Sequence, residues 1–316
     1  MRVLITGGSG FVGRHLVNHL VKSGDNVVLS SLHKLTDAEL VGIPTKSQVI
    51  NLDVTDKQAV STIVNVLQPD VIYHLAAMTF VPDLESNQQQ GIEVNGYSLL
   101  NLINAVSDHQ LKTRIVFISS SEVYGEPRPM GQPLTEQHPL RPISFYGVTK
   151  SIAEIMGNQL AFKKEVDLVR VRPFAHTGPG QSSKFALSSF AKQIVESKNK
   201  KSVIKVGNLD VRRDYSDVAD IVRGYREIAL NGISGKVYNL CSSTPVSMRS
   251  LLDKLIDLAG SNVTVEVDPE RVRNADIEEF FGSYAKVNRE IGWKPKIEIE
   301  DTLRGLLQYW DEELSR

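Results

Sequence analysis

The chain has 316 residues, and its 36 Lys+Arg balance 37 Asp+Glu to a formal net charge of −1, without the basic excess of a nucleic-acid surface. That length suggests about two domains, and 41% hydrophobic with 23% charged residues excludes disorder as the default. The single cysteine, Cys241, excludes an internal disulfide and a multi-cysteine zinc site, and no apolar run approaches the ~20 residues of a membrane span.

Residues 3–6 form a short apolar run that ends in glycines and reads as a strand; nothing before it has a signal-peptide layout, so a cytoplasmic setting is expected. Apolar spacing predicts a helix over 11–22, strands over 26–29 and 48–52, and a helix over 56–67. A strand over 71–75, a helix over 92–106, a strand over 114–119, a helix over 144–162 and a strand over 166–171 follow. This is β-α-β repeated about six times, the pattern of an α/β fold with a doubly wound parallel (Rossmann) sheet. Residues 173–184, rich in Gly, Pro, Ser and Gln, read as a functional loop. Beyond it come a strand at 203–206, a helix at 217–229 and a strand at 236–240 that returns to the first sheet. The expected division is 1–172 with 215–240 as a dinucleotide-binding domain, and 173–214 with 241–316 as a smaller mixed α/β substrate domain. The basic run Lys198-Asn199-Lys200-Lys201 reads as a solvated helix end.

Gly7-Gly8-Ser9-Gly10-Phe11-Val12-Gly13 lies between a strand and a helix. Glycines there let the backbone turn tightly and approach a pyrophosphate resting on the helix N-terminus. The acid that would bond the ribose of NAD at the end of the second strand is missing. In its place stand Ser30-Ser31-Leu32-His33-Lys34, small hydroxyls followed by potential cations, which suit the 2′-phosphate of NADP(H) better than NAD(H). Tyr146-Gly147-Val148-Thr149-Lys150 places a phenol and an ammonium one helical turn apart. An adjacent ammonium is expected to lower the phenol's pKa and fit it for proton exchange with a hydroxyl or ketone. Ser119-Ser120-Ser121-Glu122-Val123-Tyr124 follows a strand, where parallel sheets place ligands. His15 and His19 are four apart, but no third ligand accompanies them, and no metal site is expected.

These motifs, with Asn51-Leu52-Asp53-Val54, His74-Leu75-Ala76-Ala77, Asn95 and Arg172-Pro173-Phe174, resemble the extended short-chain dehydrogenases/reductases, the sugar-nucleotide epimerases, dehydratases and reductases, over nearly the whole length. The resemblance implies Ser120 as the catalytic hydroxyl, Tyr146 as acid/base, Lys150 as the holder of the nicotinamide ribose and Glu122 as the base that a dehydration would need. It implies Gly7, Gly10, Phe11, Val12, Gly13, Ser31, His33, Asp53, Val54, Leu75, Ala76, Ala77 and Pro173 around the cofactor. The segments 172–181, 204–209 and 213–218 are similar to the GDP-mannose branch. There Thr79, Ser121, His176, Gln181, Lys184, Lys205, Asn208, Arg213 and Arg273 become candidates for the nucleotide sugar, with Arg213 and Arg273 suited to a diphosphate. The expected activity is NADPH-dependent reduction of a sugar C4 ketone. 4,6-Dehydration, C4 epimerisation and, remotely, nucleotide sensing without catalysis are the alternatives. The resemblance also implies a homodimer through the helices at 92–106 and 146–162.

Overall fold

A computed structural model of the chain describes residues 1–127, 129–197, 202–272 and 277–315. The chain begins with β1 (Arg2–Thr6), α1 (Phe11–Lys22), β2 (Asn26–Ser31), α2 (Asp37–Leu40), β3 (Gln48–Asn51), α3 (Lys57–Leu67) and β4 (Val71–His74). Next come α4 (Val81–Ser86), α5 (Gln88–Ile92), α6 (Ser98–Asp108), β5 (Arg114–Ile118), α7 (Phe145–Lys163) and β6 (Leu168–Pro173). The second half adds β7 (Ala175–Thr177), α8 (Ala186–Glu196), β8 (Ser202–Val206), β9 (Arg212–Asp217), α9 (Val218–Asn231) and β10 (Val237–Leu240). The last elements are β11 (Pro245–Ser247), α10 (Met248–Ala259), β12 (Val263–Val267), β13 (Glu279–Phe280), α11 (Ala285–Ile291) and α12 (Ile299–Leu314).

Seven strands form one parallel sheet in the order β10-β6-β5-β4-β1-β2-β3. The strand order reverses between β1 and β4, and the crevice beyond the carboxyl ends of these strands is where such a sheet receives a ligand. Apolar residues bury both faces. Leu16, Leu20, Ile221 and Tyr225 cover one with α1 and α9. Val60, Leu99, Leu102 and Ala153 cover the other with α3, α6 and α7. As expected, residues 237–240 return to this sheet as β10, paired with β6. A separate cluster, Leu187, Phe190, Ile204, Leu251, Leu303 and Leu306, is built from α8, α10, α12 and β8. Beside it β7, β9, β11 and β13 form a small sheet, and β8 pairs β12. Val287 and Trp293 of the late chain pack into the core of the first sheet.

The elements depart from the sequence reading where non-local bonds intervene. The helix expected over 92–106 is α5, a widened π turn over Glu93–Tyr97, and then α6. The wide turn carries Asn95, whose side chain accepts from Met78 N at 2.8 Å and donates to Met78 O at 2.9 Å and Thr149 Oγ1 at 3.0 Å. Such turns recur at functional sites. The strand expected from 166 begins at Leu168. Glu165 is left-handed (φ 54°) and Val166 N still closes α7 onto Ala161 O. The loop expected over 173–184 contains β7, held by pairing with β9. Local signals hold elsewhere: the Asp56 carboxylate caps α3 through Gln58 N (2.9 Å) and Ala59 N (3.0 Å). Asp56→Ala is expected to cost ~1 kcal/mol in urea denaturation with an unchanged slope.

Among the described residues no helix is long and apolar enough to cross a membrane, and no group of three His, Cys, Asp or Glu side chains is placed to hold a metal. His15 Nε2 instead meets Pro179 O at 2.8 Å, and burial holds His19 below the usual histidine range.

Candidate active site

The glycine loop joins β1 to α1 at the strand reversal. Gly7 has φ +69°, and a Cβ there would stand 2.8 Å from the Ala76 backbone; one on Gly13 would stand 2.6 Å from Gly7 O. These two glycines are demanded by the protein itself. Gly10 differs. Its backbone is extended (φ −71°), and a Cβ would meet nothing closer than Gly7 O at 3.4 Å. It opens α1 with no side-chain cap and no acid in the first turn, leaving first-turn amides of the helix, including those of Phe11 and Val12, for an anion. The loop therefore fits a dinucleotide pyrophosphate.

At the end of β2, Ser9 Oγ donates to Ser31 Oγ at 3.2 Å. His33 is exposed and meets Glu39 Oε1 at 3.3 Å. Hydrogen bonds from Thr36 and His33 hold the Glu39 carboxyl down at about 2. Arg14, which the sequence reading passed over, donates to Ser9 O (2.9 Å), Val41 O (2.9 Å) and Glu39 O (2.5 Å). It pins the segment around α2 against the glycine loop. Asp53 accepts from Thr55 N and Oγ1, Val54 is buried, and Leu75 and Ala76 are tied to Thr6 through its carbonyl and hydroxyl. His74, fully buried between Thr6 Oγ1 (2.7 Å) and Ser98 Oγ (2.8 Å), is pulled down to about 3 by burial and stays neutral.

The Ser120, Tyr146 and Lys150 side chains converge where β5 ends. Ser120 Oγ accepts from Glu122 N at 3.1 Å, capping a short 3₁₀ turn over Ser121–Tyr124. Ser144 caps α7 through Gly147 N (3.1 Å) and also donates to Glu122 Oε2 (3.0 Å), which fixes that exposed carboxylate beside the first turn of α7. Ser120 stands near enough to the Tyr146 phenol to pull its pKa down. Lys150 is 2% exposed; its Nζ donates to Ile118 O at 2.8 Å and lies 5.9 Å from the Tyr146 ring centroid.

The electrostatics correct one expectation. Lys150 was expected to lower the Tyr146 pKa. Burial instead pushes the phenol well above the tyrosine range, and the Glu122 charge pushes the same way. The ammonium is committed to Ile118 O, and burial pulls it down to about 7. The phenol is therefore protonated at neutral pH, as a proton donor to a developing oxyanion must be.

The substrate candidates fall into several places. Ser121 is buried in the turn after Ser120. Lys184 Nζ lies 4.8 Å from the Phe80 ring and 4.0 Å from Asp83 Oδ2. His176 stacks on Phe11 at 6.4 Å, with Nδ1 against Phe174 O, and so stands beside the glycine loop. Gln181 was read as a ligand residue, but its amide accepts from Thr177 Oγ1 (2.6 Å) and donates to His176 O (3.1 Å), shaping its own loop. Arg213, read as a diphosphate ligand, donates to Arg212 O and Ile277 O. Asn208 accepts from Asp210 N, and Lys205 lies exposed on β8. Arg273 and the basic run 198–201 lie outside the described residues. The sequence reading also missed Glu154 and the bonding of Arg172. Both are buried and bonded bidentately, at 2.8 and 2.7 Å; a charged residue one turn after Lys150 on the same face of α7 was the available signal.

The family model described as GDP-mannose 4,6 dehydratase matches residues 4–306. The chain is 32% identical over 312 residues to GDP-6-deoxy-D-mannose reductase of Pseudomonas aeruginosa, covering 98% of this chain and 97% of that one. It is 27% identical to UDP-glucose 4-epimerase 4 of Oryza sativa subsp. japonica, covering 96% and 88%. The solved structure of RMD from Pseudomonas aeruginosa complexed with NADPH superposes with a TM-score of 0.84 at 29% identity, covering 99% of each chain.

Proposed function

The chain belongs to the GDP-mannose 4,6-dehydratase family of extended short-chain dehydrogenases/reductases, and from that premise we propose that it reduces the C4 ketone of GDP-4-dehydro-6-deoxy-D-mannose with NADPH. The single observation that carries this reading is the convergence of Ser120, Tyr146 and Lys150 at the end of β5, with Lys150 Nζ bonded to Ile118 O and 5.9 Å from the Tyr146 ring centroid. Ketone reduction leaves an alkoxide that needs a proton, and a phenol protonated at neutral pH supplies one. NADPH, when bound, supplies the hydride. The glycine loop and the N-terminus of α1 take the pyrophosphate, while Ser31 and His33 with the Arg14-pinned segment face the 2′-phosphate. Lys150 takes the nicotinamide ribose. Ser120 donates to the ketone oxygen and fixes it against Tyr146. The relative's name, GDP-6-deoxy-D-mannose reductase, and the NADPH of the matched structure support the same reading.

Residues 1–172 and 215–240 are assigned to the cofactor, and 173–214 and 241–316 to the nucleotide sugar. The exposed apolar side chains of Tyr97, Ile155 and Phe162 along the π turn and α7 support pairing of two copies. A second reading, 4,6-dehydration, is favoured by Glu122, a carboxylate fixed by Ser144 and suited to remove a C5 proton. The experiment is NADPH oxidation with GDP-4-dehydro-6-deoxy-D-mannose, followed by nicotinamide absorbance. One NADPH consumed per sugar is the expected result. No oxidation despite NADPH binding, with loss of water from GDP-mannose, overturns it in favour of the dehydratase.

A further inference from the structure

Arg14 stands in the first turn of α1, and long helical side chains lean back toward the helix N-terminus. Its guanidinium accordingly reaches the glycine loop, where Nε donates to Ser9 O at 2.9 Å, while Nη1 and Nη2 cross to Val41 O (2.9 Å) and Glu39 O (2.5 Å). All three acceptors are neutral carbonyls. Among the described residues no carboxylate pairs with this half-buried cation. A guanidinium has five N–H donors, so two remain after those three bonds. Beside it Ser9 Oγ donates to Ser31 Oγ at 3.2 Å. Ser31, buried at the end of β2, keeps its own hydroxyl proton to give. A fixed, unneutralised guanidinium and a hydroxyl donor thus stand together where a sheet of this kind receives the adenosine ribose.

This inference rests on the reading of the chain as an NADPH enzyme. We propose that Arg14 is the specificity-determining residue for that cofactor: its charge, held beside Ser31, takes the 2′-phosphate that separates NADPH from NADH. Partial burial of a cation without a counter-charge is unfavourable, and a phosphate supplies the missing charge in a geometry that a guanidinium matches. The three carbonyl bonds fix the guanidinium before the ligand arrives, so little side-chain entropy is left to lose on binding. The neighbouring cations are less well placed. His33 Nε2 already meets Glu39 Oε1 at 3.3 Å, and hydrogen bonds from Thr36 and His33 hold Glu39 ionised. That pair carries no net positive charge even with the imidazole protonated. Lys34 is exposed, where solvent and salt screen it. Arg14 is cationic throughout the physiological pH range. The assignment places both phosphate groups of the dinucleotide on one turn of helix, the pyrophosphate on its amides and the 2′-phosphate on its side chain.

The test compares the binding of NADPH and NADH, which differ only in the 2′-phosphate, by calorimetric titration in the absence of sugar, so an error in the sugar substrate leaves it intact. Wild type is expected to bind NADPH the more tightly, with an affinity that falls more steeply with salt than that for NADH. Arg14→Gln keeps amide donors for the carbonyls but loses the charge. It is expected to weaken NADPH binding by about tenfold to a hundredfold, to leave NADH within about twofold, and to give both cofactors the same salt dependence. Should Arg14→Gln fail to fold, Arg14→Met, whose unbranched stem packs in arginine's place, reads the same selective loss. Equal losses for NADPH and NADH reduce Arg14 to a support of the segment 36–41 and overturn the proposal. An undiminished NADPH preference in the variants overturns it too and moves the 2′-phosphate to His33 or Lys34. Both of these results leave the NADPH reading standing. A wild type that binds the two cofactors alike overturns the proposal together with that reading.

Discussion

Tyr146→Phe is expected to lower kcat by ~10³-fold while leaving NADPH affinity within about twofold of wild type, because only the transferred proton is lost. The ring that shapes the pocket remains, and Lys150 keeps its bond to Ile118 O. The phenol's raised pKa adds a second expectation, with a definite sign. A proton donor must be protonated, and a pKa above the ordinary tyrosine value keeps it so. At saturating NADPH and sugar, wild-type kcat therefore should not fall between about pH 6 and about pH 9. An alkaline loss of kcat centred below the ordinary tyrosine value would mean that a phenolate accumulates and that Lys150 depresses the phenol after all. Single-turnover absorbance measurements separate this from product release. A Tyr146→Phe enzyme that turns over like wild type removes Tyr146 from the mechanism.

The legibility of this site in the sequence follows the range of the interactions that build it. The glycine loop and Tyr146-x-x-x-Lys150 are local: the spacing alone places the first between a strand and a helix and the second on one helix face. The parallel, doubly wound character of the sheet followed from the alternation of strand and helix. What spacing cannot carry is which distant residue satisfies which polar group. Glu154 finds Arg172 across 18 residues and Ser119 across 35, through the packing of α7 on β5 and β6. The hydrogen bonds of Asn95 widen a turn that apolar periodicity reads as ordinary helix. Gln181 and Arg213 show the converse. A polar side chain is as apt to satisfy a backbone carbonyl as a ligand, and both donate to carbonyls nearby or across the small sheet. The phenol's charge state was also beyond spacing, because burial and Glu122 decide it rather than the lysine four residues on.

Gly10 separates what the fold requires from what the ligand requires. Alanine at Gly13 would press on Gly7 O at 2.6 Å, and at Gly7 it would add a positive φ to a clash with the Ala76 backbone. Either change reshapes the loop, so lost binding there would prove nothing about the ligand. Gly10→Ala has neither penalty, since its φ is ordinary and its Cβ touches only Gly7 O, at 3.4 Å. An alanine also loses less chain entropy on folding than glycine. Alanine is a poorer residue than glycine at the start of a helix, and the two effects oppose each other, so the thermal midpoint of the free protein should stay within a few degrees. The methyl group would nevertheless stand at the uncapped start of α1, where an anion must come close enough to accept from first-turn amides. Losing one or two charge-assisted hydrogen bonds of roughly 1.5–3 kcal/mol each corresponds to at least about a tenfold and up to more than a hundredfold loss of NADPH affinity. Calorimetric titration with NADPH beside a thermal melt reads both quantities. Unchanged affinity with an unchanged midpoint would place the pyrophosphate away from Gly10, and a collapsed midpoint would show that the backbone itself needs the glycine.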